Sequence, residues 1–147
     1  MLIGNQAAGK PFPQFHVGPV AGLENVRIIE EENLLENVRI MGEHLMDRLA
    51  GLKDKYPVIG DVRGKGLFAG VELVVDRRSK EPTPESYAMK LTGHCMAQGV
   101  MIGRTNRSFR DLNNTLCLSP ALIATRRDIR DYMDTFDVHP FEHRCSR

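Results

Sequence analysis

A glycine-punctuated stretch, DVRGKGLFAGVEL, is the feature that most constrains the fold of this chain. Its glycines Gly64 and Gly66 lie two residues apart, and glycine permits the backbone conformations that a tight bend needs. Apolar residues in partial alternation follow, which is typical of a β-strand. The pattern predicts a hairpin with strands at residues 58–63 and 67–75. Because the second strand has apolar residues on both faces, we expect it to be covered on both sides.

A long amphipathic pattern precedes the hairpin. Six apolar residues recur at spacings of three and four, so they share one face of a helix. They are Leu34, Val38, Met41, Leu45, Leu49 and Leu52. We predict one long helix over residues 22–56, ending before Pro57 because the residue before a proline disfavours helical geometry. Within this helix, Gly42 indicates either a close packing contact or a bend.

After the hairpin, we expect a second helix that begins near Thr83 as its N-cap and ends at Gly99. Short strands are predicted at residues 100–102 and 115–118, with a polar loop at residues 103–114 between them. A third helix follows the last strand. This order of elements predicts an α+β fold, with a small, mostly antiparallel sheet covered by helices.

The two ends of the chain have less regular patterns. Residues 1–20 are rich in glycine, proline and alanine, and we expect an irregular lead-in there. The last helix is predicted to start at Thr125, where Asp128 completes an approximate capping box. The polar tail at residues 139–147 is expected to fray. We therefore predict that the folded domain occupies residues 21–138.

The composition limits the classes of partner. The length of 147 residues suits one domain, and 20 basic against 19 acidic residues give a formal charge of +1. This balance favours neither a nucleic acid nor a membrane surface. The three cysteines form no C-x-x-C pair, which is typical of thiols in a reducing compartment. Without a signal peptide or an apolar run of roughly 20 residues, we expect a cytoplasmic protein.

Three other patterns are weak. Residues 4–10, GNQAAGK, match the first part of a phosphate-binding loop, but Pro11 stands where magnesium-binding Ser or Thr belongs. The histidines offer no metal-binding pair on a helix face, since a proline separates His139 from His143. Cys117 lies in a predicted strand, so we expect a core thiol and not a nucleophile. We predict no metal site and no catalytic residue from these patterns.

The glycine-punctuated stretch resembles the V-R-G-x-G-L-x-x-G-x-E-L signature of class III aminotransferases, which include the omega-transaminases. Three further stretches agree in order and spacing. Residues 23–41 are similar to the helix that links the family's large and C-terminal domains, and residues 99–102 to its strand after the small-domain helix. Residues 118–122 are similar to its L-x-P-P-L, with Ala121 in place of the second proline. The resemblance covers about residues 15–138.

The resemblance implies the C-terminal small domain of a fold-type I enzyme that uses pyridoxal phosphate (PLP), with residues 1–20 as the end of its large domain. It also implies transfer of an amino group from an amine or amino acid to a keto acid. In the family, a large-domain lysine holds the cofactor as a Schiff base. The family's enzymes are expected to act as homodimers, in which substrate is bound with the help of the large domain.

The parts of the family's site that hold PLP are not matched in this chain. The catalytic lysine lies upstream in the family, and Lys10 is in the wrong context to replace it. Gln14 stands where the family has a phosphate-binding threonine. We therefore expect no catalytic and no cofactor-binding residue here, and we expect this chain to be inactive by itself.

One functional residue can be carried over from the resemblance. Many omega-transaminases hold the substrate carboxylate with an arginine in the loop before L-x-P-P-L, and counting back eight residues from Leu118 gives Arg110. The planar guanidinium can grip a carboxylate with two parallel hydrogen bonds. Arg104 and Arg107 are close alternatives. The other interpretation of Arg110 is a solvated side chain paired with Asp111.

A second function of a different class also fits the sequence. The chain is then a truncated, non-catalytic domain that acts as a dimerisation or subunit-binding module. In this hypothesis, the long helix exposes an apolar stripe that a partner covers.

Overall fold

The computed structural model describes residues 17–106 and 112–137. The chain divides into two compact units, Met1–Leu34 and Leu35–Arg147. In chain order the elements are α1 (Val17–Glu31), α2 (Leu34–Lys55), β1 (Ile59–Lys65), β2 (Phe68–Asp76), β3 (Glu81–Pro82), α3 (Glu85–Ala97), β4 (Gly103–Arg104), β5 (Thr115–Leu118) and α4 (Arg126–Asp137).

The structure differs from the predicted single helix over residues 22–56, because a break separates α1 from α2. Asn33 has a φ of 50°, in the left-handed region. Its amide donates to the carbonyl of Glu30 at 3.2 Å, which tightens the last turn of α1. Asparagine tolerates this conformation better than most residues, so it ends a helix readily. The apolar periodicity did not reveal the break, since it contains no information on a single polar position.

The first helix also begins earlier than predicted. It starts at Val17, inside the stretch expected to be irregular, and Pro19 falls in its first turn. A proline costs no intrahelical hydrogen bond there, because the first amides of a helix have no partner in any case. The rest of the predicted lead-in and the predicted frayed tail lie outside the described residues. The domain limits at 21 and 138 stay a prediction.

The strands form one small antiparallel sheet in the order β1-β2-β5-β4, with β3 paired to β2. Its hairpin is tighter than predicted. Gly64 pairs with Ala69 and Lys65 pairs with Phe68, so Gly64 and Lys65 belong to β1. The turn consists of Gly66 and Leu67. The predicted α+β class with a small antiparallel sheet is confirmed.

One face of the sheet carries the core. In β2, Ala69, Val71 and Leu73 are buried, whereas Phe68 on the other face is 67% exposed. At the far end of that other face Val74 is only 2% exposed, so the expectation that β2 is covered on both sides holds only in part for the described residues. The core cluster joins side chains of α2, α3, α4 and the strands, among them Leu45, Leu49, Leu91, Leu116, Leu118, Ile129, Met133 and Phe136.

Two glycines bring the hairpin turn against α2. A Cβ atom at Gly42 would lie 2.5 Å from the backbone of Gly66. Gly66 has a φ of +57°, and a Cβ atom there would lie 2.5 Å from Cγ1 of Val38. Such distances are shorter than any real contact, so both positions require glycine. The predicted close packing contact at Gly42 is confirmed, and its partner is the second glycine of the hairpin signature.

The ends of α3 agree only partly with the prediction. The helix begins at Glu85 with Pro84 at the cap position, so Thr83 is not the N-cap. At the other end, Gly99 has a φ of 83° and the amide of Val100 donates to the carbonyl of Cys95 at 2.9 Å. This pattern is a Schellman motif, in which a left-handed glycine stops the helix. The predicted end at Gly99 is confirmed.

The capping box of α4 forms as predicted. The Thr125 amide donates to Oδ2 of Asp128 at 2.8 Å, and the Asp128 amide donates to Oγ1 of Thr125 at 3.3 Å. These reciprocal bonds satisfy two amides that a helix start leaves without partners.

Candidate functional site

The candidate site is the connection between β4 and β5, where the family resemblance places Arg110. The two strands pair antiparallel, with Gly103 opposite Cys117 and Arg104 opposite Leu116. The observed β4 lies just after the predicted strand at residues 100–102 and inside the predicted loop. The prediction of β5 at residues 115–118 is confirmed.

Arg104 ties the edge strand to α3. Its Nη1 donates to Oε1 of Glu85 at 2.6 Å, and the two side chains are only 25% and 22% exposed. Nη1 also donates to the carbonyl of Thr105 at 3.3 Å. Because a carboxylate of this chain already engages the guanidinium, Arg104 is a poor candidate for gripping a substrate carboxylate. This ion pair links β4 to α3 at the base of the connection.

The two ends of the connection are bonded to each other and to the sheet. The Thr105 amide donates to the carbonyl of Thr115 at 2.9 Å. Nδ2 of Asn114 donates to the carbonyl of Leu73 at 2.6 Å, and the amide of Leu73 donates to the Asn114 carbonyl at 2.8 Å. Asn114 is buried, so these bonds satisfy polar groups that would otherwise be costly.

Arg110, Arg107 and Asp111 lie outside the described residues. The assignment of Arg110 to the substrate's acid group therefore stays a prediction, as does its alternative pairing with Asp111. Sequence reasoning missed Glu85 as the partner of Arg104 and Asn114 as the anchor of the connection. Nothing periodic links Glu85 to Arg104, and two consecutive asparagines before a strand only indicate a turn.

The arginine of the hairpin signature, Arg63, forms ion pairs within the sheet. Nη1 of Arg63 donates to Oε2 of Glu72 at 3.1 Å and to Oδ2 of Asp61 at 2.9 Å. These two hydrogen bonds raise the pKa of Arg63. Burial acts to raise the pKa of Asp61, but hydrogen bonds from Arg63 and Lys53 outweigh it and hold that pKa below its usual value. The charges of the signature thus neutralise one another across β1 and β2.

The described residues do not fit the attachment of PLP. A Schiff-base lysine must lose its proton to react, which requires an apolar or cationic surrounding. Among the described lysines, Lys65, Lys80 and Lys90 are exposed, and Lys53 is paired with Asp61. Hydrogen bonds with its neighbours Tyr56 and Asp137 raise the pKa of the fifth, Lys55. Lys10 and Gln14 lie outside the described part of the chain, and we assign no reaction step to these lysines.

Neither thiol that the structure describes has the surroundings of a nucleophile. Cys95 is buried, and burial raises the pKa of its thiol. Cys117 is half-buried and lies on the sheet face opposite the core, paired with Gly70 and Gly103, so the expectation of a core thiol is wrong. Within residues 17–106 and 112–137, no cluster of three or more His, Cys, Asp or Glu side chains could hold a metal ion.

No helix in the described ranges has the length and apolar character needed to cross a membrane.

Comparison with known proteins identifies the family. The sequence profile of the family described as "Aminotransferase class-III" matches residues 16–138. The chain therefore belongs to the class III aminotransferases, a family of PLP-dependent transferases. The resemblance that the hairpin signature indicated is confirmed.

Curated relatives share this part of their sequence with the chain. The hypotaurine/taurine–pyruvate aminotransferase of Paracoccus denitrificans is 58% identical over 120 residues, which are 82% of this chain and 26% of that protein. The human mitochondrial alanine–glyoxylate aminotransferase 2 is 30% identical over 128 residues, covering 85% of this chain and 24% of its own length. The chain thus spans about a quarter of the length of the curated relatives it matches.

Solved structures agree on the fold. An aminotransferase from Bacillus anthracis superposes with a TM-score of 0.74 at 37% identity, covering 78% of this chain and 25% of its own. The omega transaminase of Pseudomonas jessenii, solved in complex with PMP, gives a TM-score of 0.67 at 33% identity, covering 78% and 24%. The α+β fold of this chain is thus that of a part of a larger PLP enzyme.

Proposed function

We propose that this chain is the C-terminal portion of a PLP-dependent aminotransferase that moves an amino group from an amino sulfonate such as taurine to pyruvate. The observation that carries the proposal is the 58% identity with the hypotaurine/taurine–pyruvate enzyme. Two further taurine–pyruvate aminotransferases, from Bilophila wadsworthia and Rhodobacter capsulatus, are 56% identical to the chain. The human alanine–glyoxylate enzyme is only 30% identical.

The cofactor supplies an electron sink for amino transfer when it is bound. In the proposal it is held by a catalytic portion like that of the longer relatives, and this chain by itself is inactive. Arg110 grips the acid group of the substrate, because a guanidinium fork suits the oxygens of both carboxylates and sulfonates. The ion pair of Arg104 with Glu85 supports this role, because the substrate's acid group must then be bound by another arginine of the β4–β5 connection. We expect the full-length protein to be a cytoplasmic homodimer.

A chimera tests the proposal. The 120 aligned residues of the Paracoccus denitrificans enzyme are replaced by those of this chain. We expect alanine formation from taurine and pyruvate, which a coupled assay measures. In the chimera, Arg110→Gln should raise the KM for pyruvate about tenfold or more, because it removes charge-assisted hydrogen bonds. Arg110→Lys should give a KM for pyruvate between those of the unchanged chimera and of Arg110→Gln.

Arg127→Gln is the matched control, because Arg127 is an exposed arginine on α4. It should leave kcat and the KM for pyruvate unchanged. A soluble, PLP-loaded chimera that accepts other amines but not taurine would refute the proposed substrates. An unchanged KM in Arg110→Gln, with taurine activity intact, would refute only the role of that residue. Borohydride trapping of PLP on one specific lysine of the isolated chain would contradict its proposed inactivity.

A specific observation also favours the second candidate, a dimerisation or subunit-binding module. Three apolar side chains at spacings of three are exposed on α1, namely Val20, Leu23 and Val26. This spacing gives the helix an apolar face. The oligomeric state of the isolated chain tests this candidate.

A further inference from the structure

A cleft of about 380 Å³ opens beside the start of the hairpin. Five charged residues line it, Asp61, Arg63, Glu72, Arg77 and Lys80. Gly60 forms part of the wall where a register shift interrupts the pairing of β1 with β2. A Cβ atom at Gly60 would lie 2.7 Å from Cγ1 of Val74, so a larger residue there would force Val74 to move. At this volume the cleft has room for a ligand larger than one water molecule.

The acidic side of the cleft is neutralised within the chain. Asp61 accepts hydrogen bonds from Lys53 at 3.3 Å and from Arg63 at 2.9 Å. Glu72 accepts from the same Arg63 at 3.1 Å. Two carboxylates are thus matched by two cations, and this part of the cleft has no net charge to offer a ligand.

The basic side of the cleft, Arg77 and Lys80, is not matched by carboxylates of the described residues. Nε of Arg77 donates to the carbonyl of Ile59 at 3.0 Å, and Nη2 donates to the carbonyls of Tyr56, at 2.9 Å, and Lys53. All these acceptors are uncharged, and within the described residues Arg77 has no carboxylate partner. Its Nη1 makes no hydrogen bond to a described residue. Lys80 is exposed, and no described carboxylate lies within ion-pair distance of its ammonium.

We infer that this cleft binds a small oxyanion of phosphate size, between Arg77 and Lys80. Arg77 is held in place by the carbonyl groups at the end of α2, so its free edge is pre-organised for an anion. Lys80, with a left-handed φ of 57° in the turn after β2, supplies the second positive charge. This anion site involves neither the cofactor nor the amino donor, so the inference stands independently of the proposed activity.

Nuclear magnetic resonance titration of the chain with inorganic phosphate tests the inference. Ionic strength is kept constant with chloride, so that simple screening does not change. We expect saturable shifts of the amides of Gly60, Arg77 and Lys80. Lys80→Ala should weaken phosphate binding about fivefold, the size of an exposed ion pair, and Lys80→Arg should restore it. Arg77 is left unchanged because it also holds the end of α2.

Lys90→Ala on α3 is the control, since Lys90 is exposed and does not line the cleft. It should bind phosphate as the unchanged chain does. Shifts that do not saturate, or equal losses in Lys80→Ala and Lys90→Ala, would overturn the inference, because phosphate would then respond only to overall charge. Saturable shifts confined to another part of the chain would overturn it as well.

Discussion

At the scale of single residues, Gly66 explains why the hairpin signature has its second glycine. The residue needs a left-handed backbone, and its Cα lies against α2 where a side chain would meet Val38. The opposing residue on α2 is also a glycine, Gly42, so two backbones come into direct contact. This contact has a structural role, because it sets how closely the hairpin turn approaches the helix.

Gly66→Ala should therefore destabilise the fold by about 2–4 kcal/mol, from left-handed strain together with overpacking against Val38. The measurement is the free energy of unfolding in urea. Gly51→Ala is the control, because Gly51 lies inside α2, about one turn before its end, and a Cβ atom added there would meet no neighbouring atom within 4 Å. That change should stabilise by about 0.5–1 kcal/mol through helix propensity. Equal effects in the two variants would disprove the packing role of Gly66.

At the scale of elements, the ends of α2 and α4 are joined by a polar contact. The Tyr56 hydroxyl donates to Oδ1 of Asp137 at 2.8 Å, and Nζ of Lys55 donates to the same carboxylate at 2.9 Å. Burial acts to raise the pKa of Asp137, but the hydrogen bonds from Lys55 and Tyr56 outweigh it and lower that pKa. The carboxylate is thus more acidic in the folded chain than in the unfolded one.

Because the folded pKa of Asp137 is depressed, its contribution to stability is present above the unfolded value of about 3.8 and is lost as the pH falls through the folded pKa. Asp137→Asn should be less stable than the unchanged chain at pH 7, and this difference should shrink towards pH 3. Urea unfolding at several pH values measures it. Asp54→Asn, at an exposed aspartate of α2 without a described ion pair, should follow the unchanged profile. A constant difference between Asp137→Asn and the unchanged chain would rule out the linkage.

At the scale of the whole molecule, the chain is a quarter of the length of its relatives, yet it contains a continuous core of its own. The exposed residues Val20, Leu23 and Val26 of α1 are the apolar surface on which the dimerisation hypothesis depends. Exposed apolar stripes of this kind favour association in water.

Light scattering after size exclusion measures that association. If α1 mediates it, the isolated chain should be dimeric at high concentration and Leu23→Glu should be monomeric. Met101→Glu is the control, because Met101 is 78% exposed but lies outside α1. A monomeric unchanged chain would count against the hypothesis, and so would equal dissociation in both variants.

Local patterns were sufficient for much of the fold. Spacing alone places Leu45 and Leu49 on a buried helix face, and Thr125 with Asp128 predicts a capping box; the structure has both. Both follow from interactions within four residues. The spacing of apolar residues does not predict the helix break at Asn33, because that spacing contains no information on the φ of a single polar residue.

The candidate site was less accessible to sequence reasoning. Residues 61–73 indicate the family. In the structure the same residues form the hairpin that packs against α2. The sequence offers Arg104 as an alternative for substrate binding, but in the structure it pairs with the carboxylate of Glu85, 19 residues earlier in the chain. Hydrogen bonds between distant elements have no period in the sequence, so the pairing of Arg104 with Glu85 could be seen only in the structure.

The sequence by itself determined the family, the kinds of element and the helix and turn signals, since each depends on residue type and short spacings. The tertiary structure decided that Phe68 of β2 is exposed while the core face of the strand is buried, that Gly42 contacts Gly66, and that Arg104 pairs with Glu85. It also showed that Arg77 holds the end of α2 and leaves a charge facing a cleft. These facts depend on contacts between residues far apart in the chain, and such contacts arise only when the core brings the elements together.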